Sequence, residues 1–142
     1  MEFVRAHYPS AEWALWCAES RPYETAVSSR LASFLSAGYE TCIIADNMIG
    51  YCISQKKIDP AILFYRNLSG EYALCQGGSI LVAVLARELG CSCNLYPTDF
   101  DFSRDMTEDS LCFAEERITP SGARGYVPRE DKVPLGYFTE KW

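Results

Sequence analysis

Short uninterrupted apolar runs alternate along this chain with longer stretches whose apolar residues recur every three or four positions. Residues 14–18 (A-L-W-C-A) form the first run, closed by Glu19-Ser20-Arg21-Pro22, and read as a buried strand entering a loop. From Tyr23 onward Ala26, Val27, Arg30, Leu31, Phe34 and Leu35 fall at helical spacing, with Gly38 just past them. That predicts a helix of about four turns with glycine at its C′ position. Thr41-Cys42-Ile43-Ile44-Ala45 is a second run, and Asp46 after it suits the N-cap of a helix through Met48, Tyr51 and Ile53. The strand signal returns at 60–65, a polar loop follows around Asn67-Leu68-Ser69-Gly70, and Ile80 to Leu89 is strongly helical up to Gly90. Cys91 to Tyr96 is the fourth strand, ended by Pro97.

Strand-to-helix units in succession predict an α/β domain with a mostly parallel sheet and helices on both faces. Ligands on such sheets sit beyond the carboxyl ends of the strands. Those ends are Glu19-Ser20-Arg21, Asp46-Asn47, Tyr65-Arg66-Asn67 and Pro97-Thr98-Asp99. After Pro97 the sequence turns acidic and polar, which suits a surface loop carrying Phe100 and Phe102. Residues 111–114 suggest a short edge strand and 134–142 a short terminal helix. With no internal repeat and no linker, residues 1–142 read as one domain.

Charge and cysteine usage narrow the function classes. A formal net charge of −6 and a pI near 4.8 mean that a phosphate backbone or an anionic membrane repels the chain at long range. Nucleic acid and membrane partners are therefore not expected; small molecules or proteins are. The seven cysteines lack the C-x-x-C spacing of a zinc site, so no metal is expected. Cys17, Cys42, Cys52 and Cys93 lie within apolar runs, where a reduced thiol acts as a small hydrophobe, which points to the cytoplasm. Residues 1–9 show neither a signal peptide nor a membrane span.

Four stretches in order carry a more specific signal. They are E-S-R-P at 19–22, T-C-I-I-A-D-N-M at 41–48, I-D-P-A-I-L at 58–63 continued by Gly70 and S-I-L-V-A-V-L-A-R-E-L-G at 79–90, and E-E-R at 115–117 followed by Y-V-P-R-E-D-K-V-P at 126–134. Together they resemble the C-terminal half of the methylthioribose-1-phosphate isomerase and translation initiation factor 2B family, across nearly the whole chain. The resemblance implies a three-layer Rossmann-like domain that lacks the family's N-terminal helical domain. It also implies assembly through this domain, as a homodimer or with a partner subunit.

In the isomerases of that family a cysteine and an aspartate exchange protons while an aldose phosphate becomes a ketose phosphate. The matching positions here are altered. The cysteine belongs to the missing half, the aspartate of the family's G-A-D-R-I is replaced by Arg66, the loop lysine aligns with Cys75, and a glutamine aligns near Thr25. A guanidinium stays protonated and cannot serve as a base. Arg21, Asp46, Asn47 and Arg66 remain as ligand-binding candidates, with no catalytic residue and no cofactor. The expectation is a non-catalytic module holding a phosphorylated metabolite, or an oligomerisation or regulatory module. The alternative is an aldose-ketose isomerase completed by another chain or using a new group such as Cys75.

Each candidate has a plainer reading. Arg21 also suits an ion pair with Glu19 or Asp46, and Asp46 a simple helix cap. Gln76-Gly77-Gly78-Ser79 precedes a helix but lacks the G-x-G-x-x-G spacing of a nucleotide loop. His7, the single histidine, sits near a terminus and reads as a surface side chain. Trp13, Trp16, Tyr39 and the Phe100–Phe102 pair read as core or interface.

Overall fold

The computed structural model describes residues 2–20, 31–98, 112–113, 116–117, 128 and 130–142. Arg21, Thr25, most of the stretch predicted as the first long helix, Phe100, Phe102 and the acidic stretch after Thr98 lie outside the described residues. In chain order the elements begin with α1 (Glu2–His7), β1 (Leu15–Ala18), α2 (31–36) and β2 (Thr41–Ile44). A 3-10 turn at Asp46–Met48 leads into α3 (Ile49–Ser54), followed by β3 (Ala61–Ser69), β4 (Tyr72–Gln76), α4 (Ser79–Glu88) and β5 (Cys93–Pro97). Short strands β6 (Cys112–Phe113) and β7 (Glu116–Arg117) pair antiparallel, and β8 (Glu130–Pro134), a 3-10 turn at Leu135–Tyr137 and β9 (Glu140–Lys141) end the chain.

The main sheet has five strands in the order β8-β4-β3-β5-β9. β3 is parallel to β5 and β5 to β9, whereas β4 is antiparallel to both β3 and β8. All strands of this sheet but β4 therefore run the same way, in keeping with the α/β class and mostly parallel sheet read from the sequence. β1 and β2 form a separate parallel pair.

Three local expectations give way to tertiary pairing. The polar stretch at 67–70 is not a loop: β3 continues to Ser69 and turns back through Gly70-Glu71 into β4, whose Ala73 and Cys75 are buried. A bulge at Arg66 shifts the register between Tyr65 and Asn67, and such an extra residue in one strand re-aims its side chain. Residues 134–142 are not a helix. The Thr139 and Trp142 amides donate instead to the Cys93 and Leu95 carbonyls at 2.7 and 3.0 Å, adding β9 to the sheet. The fourth predicted strand covers Cys93–Pro97 rather than 91–96.

The helix stops follow the sequence more closely. After α2 the Tyr39 amide donates to the Phe34 carbonyl and Gly38 to Leu35; after α4 Cys91 donates to Ala86 and Gly90 to Arg87. This Schellman pattern needs a left-handed residue at C′, and Gly38 (φ 83) and Gly90 (φ 66) supply it without strain.

Alternating side chains split the core in two. Ala61, Leu63, Ala73, Cys75, Cys93, Leu95 and Val133 pack with Ile49 and Ile53 of α3 and Ala83 and Ala86 of α4. The opposite faces of β3 and β5 supply Ile62, Phe64 and Tyr96, which meet Val4 and Tyr8 at α1, Phe34 of α2, and Tyr39. Asn94, 5% exposed, donates from Nδ2 to the Tyr8 hydroxyl at 2.7 Å, and the Tyr39 hydroxyl donates to the Tyr8 carbonyl at 2.6 Å. Those bonds fix the end of α1 on the sheet. Cys42 is exposed, unlike the buried thiol its apolar run suggests, because β2 pairs only with β1 among the described strands.

Candidate functional site

Between the two sheets lies a cavity of about 690 Å³. Consecutive residues Leu15, Trp16, Cys17 and Ala18 of β1 all line it, as do Ala61, Ile62, Leu63 and Phe64 of β3. Successive strand side chains point to opposite faces. A cavity that meets all of them lies in the plane of the sheets, against the strand edges. Ile49, Ile53 and Val82 close it on one face and Val4, Tyr8 and Phe34 on the other.

The polar residues of the lining include Ser20, Asp46, Gln76 and Ser79, together with the backbone of Gly77 and Gly78. Ser20 follows β1, Asp46 follows β2 and Ser79 opens α4, so both strand ends and the start of the helix border the cavity. Ser20 adopts a left-handed φ of 54, and its amide donates to Asp46 Oδ1 at 2.8 Å. The Asp46 carboxylate thus joins the ends of the two strands. It is not the predicted N-cap: the cap position is Ala45, which makes no side-chain cap bond. At α4 the Ile80 amide donates to Asp131 Oδ2 at 2.9 Å. A carboxylate from β8 thereby caps a helix whose own N-cap, Gly78, has no side chain.

The four candidates from the sequence separate. Asp46 lines the cavity; Asn47, next in the 3-10 turn, is exposed and is not among the lining residues; Arg21 lies outside the described residues. Arg66 is not among the lining residues either. At the β3 bulge its guanidinium donates to Glu130 Oε1 on β8, a partly exposed ion pair. The more cationic crevice expected if Arg66 faced it does not arise from this side chain. Among the described lining residues Lys57 is the cation, and Glu12, Asp46 and Asp59 are the carboxylates. The Asp59 carboxylate accepts from the Ser92 amide at 3.0 Å.

Cys75, which the sequence resemblance aligns with a loop lysine, faces the core instead of the cavity. Burial pushes its thiol up to about 12, with the nearby Asp131 adding to the shift. A thiol held so high is protonated at neutral pH and is neither nucleophile nor base. His7 is exposed and packs against Trp142, ring centroids 4.3 Å apart. Among the described residues no group of three or more His, Cys, Asp or Glu is placed to hold a metal ion, and no helix is long and apolar enough to cross a membrane.

Of the sequence candidates Asp46 lines the cavity, as does the Gln76–Ser79 stretch that its spacing set aside, while the bonds made by Ser20 and Asp131 were not foreseen. Ser20 stood inside the E-S-R-P motif, and Asp131 inside the Y-V-P-R-E-D-K-V-P tail. What hid their roles is that each bonds to a partner far away in sequence.

A scan against known protein families and a search of curated protein sequences gave no match. Solved structures do match. Translation initiation factor eIF-2B subunit delta from A. fulgidus superposes with TM-score 0.80 at 18% identity, over 99% of this chain and 45% of that chain. The 5-methylthioribose 1-phosphate isomerase of Pyrococcus horikoshii OT3 gives TM-score 0.77 at 22% identity, over 97% and 42%. An initiation factor eIF-2B from P. horikoshii OT3 gives 0.68 at 18%, over 99% and 50%. The chain spans half or less of the length of these proteins. At such identities the likeness is one of fold, and it falls on the proteins whose C-terminal half the sequence resembles.

Proposed function

We propose that this chain is a diverged domain of the initiation factor 2B and methylthioribose-1-phosphate isomerase family. In this reading it is a single three-layer Rossmann-like unit of the cytoplasm that binds a phosphorylated metabolite without isomerising it. One observation carries the reading: residues that follow the carboxyl ends of β1 and β2 and residues that open α4 line the same cavity. Open α/β sheets bind ligands beyond strand ends. Arg21 follows Ser20 directly in the chain, and its planar fork suits a phosphate.

Isomerisation needs groups that give and take a proton at two carbons. Asp46 and Asp131 accept backbone amides, which suits architecture, and the Cys75 thiol is buried and protonated. That distribution supports binding over catalysis. Calorimetric titration with ribose 5-phosphate is the test. Arg21→Ala is expected to weaken binding at least tenfold, roughly 1.4 kcal/mol, while Arg66→Ala changes it little. Silence with sugar phosphates, or turnover of methylthioribose-1-phosphate by the chain alone or with a helical partner, overturns the reading.

An oligomerisation role is the second reading, favoured by Met48, Tyr51 and Val84 on the paired helices α3 and α4 and the turn before them, which are 48, 60 and 37% exposed. Sedimentation at micromolar concentration checks it; a monomer there counts against it.

A further inference from the structure

Between β1 and β3 the cavity lies in the plane of the sheets, alongside the strands and not beyond their ends. Both strands turn an edge toward it. In β1 the Leu15 and Glu19 amides donate toward β2, to the Glu40 and Ile44 carbonyls. Parallel ladders alternate, so the Trp16 peptide groups turn the other way, toward the cavity. In β3 the Ala61 amide donates to the Ser92 carbonyl and the Tyr65 carbonyl accepts from the Thr98 amide. By the same alternation the Ile62 peptide groups turn away from β5, and β4 pairs with β3 only from Tyr65 onward. The slot is therefore bordered by two strand edges with main-chain donors and acceptors aimed into it.

Strand edges of this kind are templates for pairing with another chain, and an occupant without its own main-chain groups leaves them unanswered at a cost. The walls specify the side chains. Ile49, Ile53 and Val82 close one face and Val4, Tyr8 and Phe34 the other. Side chains of an inserted strand alternate between the two faces, and both faces are apolar here. A strand buried on both faces is a continuous run of residues such as valine and isoleucine. Leu15, Trp16, Cys17 and Ala18 of β1 and Ala61, Ile62, Leu63 and Phe64 of β3 border the slot, a span of roughly 13 Å at about 3.3 Å per residue, which a run of about four residues matches. Among the described lining residues Glu12, Asp46 and Asp59 stand against Lys57, a balance that favours basic residues flanking the run.

We propose that the slot between β1 and β3 is a peptide-docking site, which a partner protein fills by adding an extended, β-branched apolar segment flanked by basic residues as a strand between the two edges. In such strand addition main-chain hydrogen bonds supply affinity and the pockets for alternate side chains supply selectivity. The proposal stands apart from the reading of a phosphorylated metabolite. The experiment is calorimetric titration of the full chain with the acetylated and amidated peptide K-V-I-V-I-K. Beside it runs the same peptide N-methylated at both valines, which keeps every side chain but removes the N–H donors along one edge. A Trp16→Pro variant makes the matching change in the protein: it deletes the N–H that faces the slot and leaves the Leu15 and Glu19 bonds to β2 in place. An unchanged melting curve verifies the variant, and without one the methylated peptide alone decides. The expected result is saturable one-to-one binding of the plain peptide, weakened at least tenfold by N-methylation and by Trp16→Pro. No binding of the plain peptide, or equal binding of the methylated one, overturns the strand slot. Ribose 5-phosphate titrated alone keeps the two readings apart, since its binding without peptide binding overturns the slot only.

Discussion

At the scale of single residues the pair Ser20 and Asp46 is the most informative. Ser20 holds a left-handed backbone conformation that L-residues other than glycine adopt at a cost of about 1–2 kcal/mol. Its amide is directed by that conformation onto Asp46 Oδ1. The carboxylate compensates, since hydrogen bonds to charged groups are worth about 1.5–3 kcal/mol. Asp46→Ala is expected to destabilise the fold by about 2 kcal/mol in urea unfolding. Asp46→Asn, which keeps an acceptor at the same place, is expected to recover most of that loss. Equal losses in both variants would mean that the charge, and not the amide bond, holds the two strand ends. Arg66 makes the opposite point. Its residue type was read correctly as unable to act as a base, yet the bulge and Glu130 place it outside the cavity lining, and an exposed pair of that kind adds about 1 kcal/mol at most.

Among the elements, those stabilised locally were legible and those stabilised by distant strands were not. α4 was placed almost to the residue because its apolar spacing and Gly90 are local signals. β4 was missed because Ala73 and Cys75 are small, and their burial depends on β3 and β8 arriving on either side. β9 falls within the stretch predicted as a terminal helix, because the free edge of β5 offers partners that no sequence window contains. The sheet interior yields a pH prediction. Burial pushes the Cys75 and Cys93 thiols from 9.0 up to about 12. A folded-state value above the unfolded one means full stability below pH 9 and a progressive loss as pH rises toward 12. Each thiol contributes a slope of roughly 1.4 kcal/mol per pH unit in that window. Melting curves between pH 8 and 11, compared with a Cys75→Ala, Cys93→Ala variant, are expected to show a shallower decline for the variant. Parallel declines would remove the thiols as the cause.

For the molecule as a whole, the outer surface of α3 and α4 and the cavity between the sheets are the features that most concern function. Tyr51 is 60% exposed on α3 and lies away from the cavity lining, so Tyr51→Glu tests assembly without touching the ligand site. A wild-type dimer that becomes monomeric, with stability changed by no more than about 0.5 kcal/mol, is the expected sedimentation result; an unchanged dimer would place the interface elsewhere. By itself the sequence determined the α/β class, the helix stops and the family likeness, because apolar periodicity, Schellman glycines and short motifs act between neighbours in the chain. Tertiary structure alone decided which strands share a sheet, where Arg66 points, what Asp46 and Asp131 bind, and that β1 and β3 leave a cavity between their edges. Those outcomes depend on backbone groups finding partners tens of residues away, and linear spacing carries no record of that geometry.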